Sequence, residues 1–182
     1  MEGKRSSRKC LAYVAIFVVF QTAVILVFAL TVMKIKSPKV RFGSITIDNI
    51  SSTNTNSTSV SMRLNTQFTV KNTNFGHFKY DNSTVTVMYG GMAVGEAAIP
   101  SGRAKARQTK RFDIALDIST AHLSGNTNLA NDINSGILTL TSQSKLSGKV
   151  HLMKVIKKKK SGEMSCTIAI NLTNKGVGLK CK

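Results

Sequence analysis

The 182-residue sequence has no tryptophan, only eight carboxylates, three cysteines and three histidines. Each scarcity removes an explanation. With aromatics at 6%, a core has to be built chiefly from Val, Ile, Leu and Met. His77, His122 and His151 stand far apart, and no HExxH, GxSxG, Walker loop or cysteine cluster occurs. Asp113 and Asp117 lie on the polar side of an alternating run, about 13 Å apart along a strand. Lys110 and Arg111 beside them point to ion pairing instead of acid–base work. Two sulfurs without a neighbouring His or a third Cys cannot complete zinc coordination. The sequence therefore reads as non-enzymatic, without cofactor or metal.

What is abundant is positive charge: 26 basic residues against 8 acidic ones, a net +18. Lys4, Arg5, Arg8, Lys9 and Glu2 precede a long apolar run, which leaves 22 bases and 7 acids after it, a net +15. Such a charge suits anionic lipid surfaces, acidic polysaccharide or nucleic acid; the plain alternative is solubility. Lys157, Lys158, Lys159 and Lys160, with Lys149 and Lys154 before them, form the densest cluster. Arg103, Lys105, Arg107, Lys110 and Arg111 form a second. Neither interleaves aromatics for stacking bases, and no nucleic-acid motif accompanies them, so nucleic acid is not expected. The lysine run reads as a hairpin tip. It either binds an anionic surface or is a solvated turn that blocks edge-to-edge aggregation.

The apolar run, Leu11 to Met33, contains no charge, Pro or Gly. As a helix it would extend about 35 Å, enough to cross a hydrocarbon core of about 30 Å. It exceeds a signal-peptide core and lacks a small-x-small exit, so a retained anchor is expected. Lys34, Lys36, Lys39 and Arg41 follow it, which nearly balances the bases before it. Orientation then rests on the short basic tail, on N-x-S/T acceptors at Asn49, Asn56, Asn82 and Asn171, and on the cysteines. Cys10 abuts the run as a candidate for S-palmitoylation, with a plain thiol as the alternative. Cys166 and Cys181 are alone after the run and are expected to pair in an oxidising compartment; two reduced cytosolic thiols are the alternative.

After residue 40 the apolar residues alternate. Val60, Met62, Leu64, Thr66, Phe68 and Val70 keep period two, as do Phe112, Ile114, Leu116 and Ile118, and Met164, Cys166, Ile168, Ile170 and Leu172. Shorter candidate strands are Ser44–Ile50, Thr84–Tyr89, Met92–Ile99, Ile137–Thr141 and Lys149–Ile156. Gly90-Gly91 marks a two-residue hairpin turn, and Lys157 to Gly162 a second link. Leu123 to Ile133, bounded by Gly125 and Gly136, predicts a short helical turn. Ser51 to Ser59 reads as a polar loop. Half-buried strands with short turns predict an antiparallel β-sandwich behind one transmembrane helix.

The stretch from Val70 resembles the plant late embryogenesis abundant type 2 domain, in its membrane-anchored, harpin-induced-like branch. Asn72-Thr73-Asn74-Phe75, then Tyr80, then Val85 to Gly90 with Tyr89, then Ala98-Ile99-Pro100 carry the resemblance. The family commonly has Asn-Pro-Asn where this chain has Asn72-Thr73-Asn74, which loses a rigid Pro but keeps both turn-forming side chains. The resemblance implies an immunoglobulin- or fibronectin-like β-sandwich at the plasma membrane, with the endoplasmic reticulum as the alternative site. It also implies a role in pathogen defence or abiotic stress and no catalytic residues. Two readings follow. One is an anchored module whose basic domain contacts anionic surfaces or partners at the cell surface. The other is a lipid-binding or membrane-protecting module in desiccation.

Overall fold

The structure is a computed structural model that describes residues 3–32, 34–53, 59–152 and 156–181. It divides into two compact units, Met1–Ile35 and Lys36–Lys182. The first is the helix α1, Gly3–Val32. Its segment Cys10–Thr31 is long and apolar enough to cross a membrane, with a mean hydropathy of 2.6 and none of it buried. In a lipid interior, backbone groups would have no water to bond, which would force helix on a run rich in Ile, Val and Phe. The two threonines obey the same constraint: Thr22 Oγ1 donates to Val18 O and Thr31 Oγ1 to Val27 O.

The second unit is mostly antiparallel β. The strands are β1 (Lys39–Thr53), β2 (Ser59–Lys71), β3 (His77–Tyr80), β4 (Ser83–Tyr89) and β5 (Met92–Ile99). They continue with β6 (Gly102–Ala104), β7 (Thr109–Ser119), β8 (Ile137–Leu152), β9 (Ile156–Asn171) and β10 (Val177–Cys181). The helix α2 (Thr127–Ser135) lies between β7 and β8. Hydrogen bonds link the strands into one sheet in the order β1-β2-β7-β5-β4-β8-β3-β6, with β9 and β10 added beyond β8. The sheet is nearly closed: at Gly162 of β9 an added Cβ would fall 2.6 Å from the Pro38 carbonyl, just before β1.

Alternation decides the core. Every second residue of β2 and β8 is buried, because successive strand side chains point to opposite faces. Leu64, Phe68, Leu116, Leu140, Val150 and Ile168 are fully enclosed. Gly90 and Gly91 both have positive φ, 54° and 88°, as a tight two-residue hairpin requires. In α2 the Asn126 side chain accepts from the backbone N–H groups of Asn128 and Leu129, and Gly136 in the left-handed conformation ends the helix.

Several expectations are corrected. The Lys157–Gly162 link is not a turn. It lies inside β9, paired residue by residue with β8 from His151↔Lys157 to Leu146↔Gly162. Lysine is tolerated in a ladder because only its backbone pairs, while the long side chain reaches water. Ile137–Thr141 and the start of the Lys149–Ile156 segment belong to one strand, β8. Ser51–Thr53 extend β1 instead of opening a loop, and residues 54–58, including Asn56, lie outside the described residues. Met33, the expected end of the span, and Lys154 also lie outside them. Asp117 does not pair with Arg111 or Lys110; Arg63 on β2 reaches it across the ladder at 2.6 Å. That bond and the guanidinium charge hold the Asp117 carboxyl below its ordinary value.

α2 is tied back to the sheet through Tyr89 Oη, which donates to Asp132 Oδ2 at 2.9 Å. Burial first, then this bond and the carboxylate charge, push the Tyr89 phenol up to about 12. A folded-state pKa above the unfolded value stabilises at neutral pH and is lost as pH rises through it. Ultraviolet titration should therefore show one tyrosine ionising near 12. Tyr89→Phe should delete that step and lower stability by about 1 kcal/mol. A titration in which every phenol ionises near pH 10 would contradict this account.

Candidate functional site

Four neighbouring strands, β6, β3, β8 and β9, bring the dispersed bases onto one outward face. Register makes the rows explicit. Arg103 pairs with Lys79, Lys79 with Lys149, and Lys149 with Lys159. The next row runs His77, His151, Lys157, with Lys105 just beyond β6. The intervening row, Ala104, Phe78 and Val150, is buried, so period two sends the basic residues outward. Lys79, Arg103, Lys105, Lys149, Lys157 and Lys159 are all exposed. The two ion pairs found among the described residues, Arg63–Asp117 and Lys145–Glu163, use none of them.

The expected set Lys157, Lys158, Lys159 and Lys160 is thereby split. Lys157 and Lys159 join the outer rows. Lys158 and Lys160 occupy the alternate positions, opposite Val150 and Gly148. Lys158 is exposed and Lys160 is half-buried. Lys149, Lys159 and Lys160 border an open cleft of about 360 Å3 that also includes Asp81. A second cleft of about 610 Å3 lies between β3, β6 and β8, bordered by Phe75, His77, Arg103, Lys105 and His151. The imidazoles of His77 and His151 stack there at 4.8 Å and 10°. Arg107, at the far side of the β6 turn, lies 4.8 Å over the Phe75 ring.

The motif asparagines build the corner beside this cleft. Asn72 is 1% exposed. Its Nδ2 donates to the carbonyls of Gly76, Ala104 and Lys105, and its Oδ1 accepts from both the backbone N–H and Nδ2 of Asn74. Asn74 grips the chain at the start of the β-domain: Oδ1 accepts from Lys36 N at 2.6 Å, and Nδ2 donates to Lys36 O at 2.8 Å. Tyr80 is buried, stacked with Phe78 at 5.8 Å. An added Cβ at Gly102 would meet its hydroxyl, so β6 can approach β3 only with glycine there. Pro100 borders a third open cleft with Asn82 and Thr84.

The acceptor asparagines differ in use. Asn49 is exposed on β1. Asn82 is exposed, and its Oδ1 accepts from Ser101 N. Asn171 is half-buried and its Oδ1 caps the backbone N–H groups of Thr173 and Asn174. Cys10 is exposed on α1. Cys166 and Cys181 face each other across β9 and β10, with their Sγ atoms joined. Among the described residues, no three His, Cys, Asp or Glu side chains converge as a metal site.

A family model described as late embryogenesis abundant protein matches residues 67–168. That stretch contains Asn72, the stacked-histidine strands and most of the basic face. A late embryogenesis abundant protein of Arabidopsis thaliana is 31% identical over 172 residues, spanning 92% of this chain and 79% of the relative. The chain belongs to the late embryogenesis abundant family. Among solved structures, an Arabidopsis thaliana protein determined in solution is similar at a TM-score of 0.45 and 17% identity, covering 76% of this chain and 83% of that one. A putative late embryogenesis abundant protein is similar at a TM-score of 0.33 and 13% identity, covering 91% and 90%. Membership in the late embryogenesis abundant family marks a stress-related protein and indicates no catalysis.

Sequence reasoning found the lysine run but missed its companions Lys79, His77 and His151. The strand of His77 and Lys79, His-Phe-Lys-Tyr, does alternate polar and apolar. Four residues are too few for the period to stand out.

Proposed function

We propose that this late embryogenesis abundant protein is a membrane-anchored, non-enzymatic stress- and defence-response protein whose basic β-domain contacts anionic polymers at the cell surface. The observation that carries the reading is the face of six exposed bases and two histidines across β6, β3, β8 and β9, outside the two ion pairs. The apolar helix α1 supplies the anchor, in keeping with the harpin-induced-like branch. The Cys166–Cys181 pair and the exposed acceptors Asn49 and Asn82 favour a domain outside the cytosol, at the plasma membrane, with the basic tail inside. We also read the domain as a sandwich of the immunoglobulin or fibronectin kind, supported by long strands such as β2 and β8 that bury a single face.

The test uses the full chain in nanodiscs of uncharged lipid. Polygalacturonate should bind at low salt and release as salt rises, because exposed charges are screened over about 8–10 Å at moderate ionic strength. Each base at an anionic surface contributes about 1 kcal/mol. Lys79→Gln, Arg103→Gln, Lys149→Gln and Lys159→Gln together should weaken binding more than about tenfold. The same charge removed from Lys71, Lys110, Arg111 and Lys180, which lie elsewhere, should change it by about twofold or less. Equal losses in the two variants would reduce the face to unspecific net charge.

A further inference from the structure

We propose that the cleft between β3, β6 and β8 is an acid-strengthened subsite for one carboxylate-bearing sugar of an acidic polysaccharide. The inference rests on the surface reading above and assigns to it a ligand chemistry and a regulation.

The cleft is assembled by sequence features that are otherwise unexplained. Gly76 sits where any Cβ would run into the backbone of His151 and Leu152. Glycine there allows the start of β3 to lie directly on β8. The register that follows sets His77 opposite His151, ring on ring. Arg103 from β6 and Lys105 beyond it border the same space, and Lys157 of β9 is the register neighbour of His151. Among the described residues, no carboxylate borders the cleft. The nearest acid along the strand, Asp81, belongs to the neighbouring cleft beyond the Lys79–Lys149 row.

Two features choose a sugar polymer. Phe75 is 51% exposed and walls one side, with Arg107 held over its ring. An exposed ring beside cations suits a pyranose, which offers an apolar C–H face next to an anionic group. The second feature is linear. Arg103, Lys79, Lys149 and Lys159 follow one another across four strands at about 4.8 Å each. Such a row matches a chain with one charge per ring-sized repeat. The headgroups of a bilayer spread their charge over a plane and have no reason to track a row.

Regulation comes from the histidines. Burial, then Arg103, then His151 hold the His77 imidazole below its ordinary range. At neutral pH the ring is therefore uncharged in the free protein, and it gains its proton on acidification. An anion in the cleft favours the protonated ring, so proton uptake and anion binding reinforce each other and affinity rises as pH falls. The carboxylates of the sugar remain ionised above about pH 5.

The experiment measures an oligogalacturonate on the full chain in uncharged nanodiscs at constant ionic strength, at about pH 7.5 and about pH 5.5. The wild type should bind about fivefold more tightly at the lower pH, the effect of about one added charge. His77→Gln with His151→Gln should bind at both pH values with no such gain. His77→Lys, which fixes the charge, should bind at the higher pH as the wild type does at the lower. A gain that persists in the double glutamine variant, or a wild type without a gain, overturns the subsite while salt-sensitive binding upholds the surface reading. Absence of binding at either pH at low salt overturns both. A gain confined to phosphatidylserine vesicles overturns the sugar assignment.

Discussion

Asn72→Ala should lower the stability of the β-domain by about 4 kcal/mol. The side chain is enclosed: its two amide hydrogens are shared among three carbonyls, and its oxygen accepts twice. Alanine leaves the Gly76, Ala104 and Lys105 carbonyls and the Asn74 amide facing a space with nothing to bond. Each stranded buried group costs about 1–3 kcal/mol, less whatever water enters to replace the asparagine. In urea unfolding of the segment 36–182, the midpoint should fall with little change in slope. Asn72→Asp should fail as well, since it keeps the acceptor but loses both donors and buries a charge. A loss below about 1 kcal/mol would show that the corner is held by its backbone bonds alone.

Removing the Cys166–Cys181 link is the second large effect, expected at about 3 kcal/mol for a separation of 15 residues. β10 is short, glycine-containing and largely exposed, and among the described residues it pairs only with β9. Its order therefore depends on the covalent tie more than on burial. Cys166→Ala with Cys181→Ala should lower the unfolding midpoint and open β10 amides to hydrogen exchange, leaving β8 protected. Mass spectrometry of the unreduced protein from the cell should show the two cysteine peptides linked. Recovery of both thiols alkylated without reduction would place the domain in a reducing compartment, and the proposed orientation would fall with it.

Most of the β architecture was readable because long half-buried strands display their period. Val60 to Val70 and Phe112 to Ile118 announce themselves, and the observed registers join those two runs as β2 and β7. The unreadable part is short or contrary. β6 has three residues, too few for any period, and its place is set by Gly102 lying against Tyr80. β9 was misread at its first turn of lysines because composition there says loop, while sixteen consecutive pairings with β8 say strand. The candidate site suffered most from this. Its rows are perpendicular to the chain, so Arg103, Lys79, Lys149 and Lys159 are neighbours only after four strands have been laid side by side. Asn72 and Asn74 were legible as turn formers. Their partners at Lys36 and Lys105 were not, since nothing local in the sequence points to so distant a backbone.

The two-point grip of Asn74 on Lys36 also has a mechanical meaning. Lys36 is the first residue of the β-domain, three positions before β1. Tension arriving along the chain from α1 meets this grip before it meets any strand. Without it, the load would act on Lys39↔Lys71, the open end of the β1–β2 hairpin, and peel the ladder one pair at a time. With it, the load passes through Asn74 to Asn72 and so to the β6 turn, where several bonds share it at once. In the proposed arrangement the chain would be a tether between a bilayer and an outer polymer network, and the knot is tied ahead of the seam.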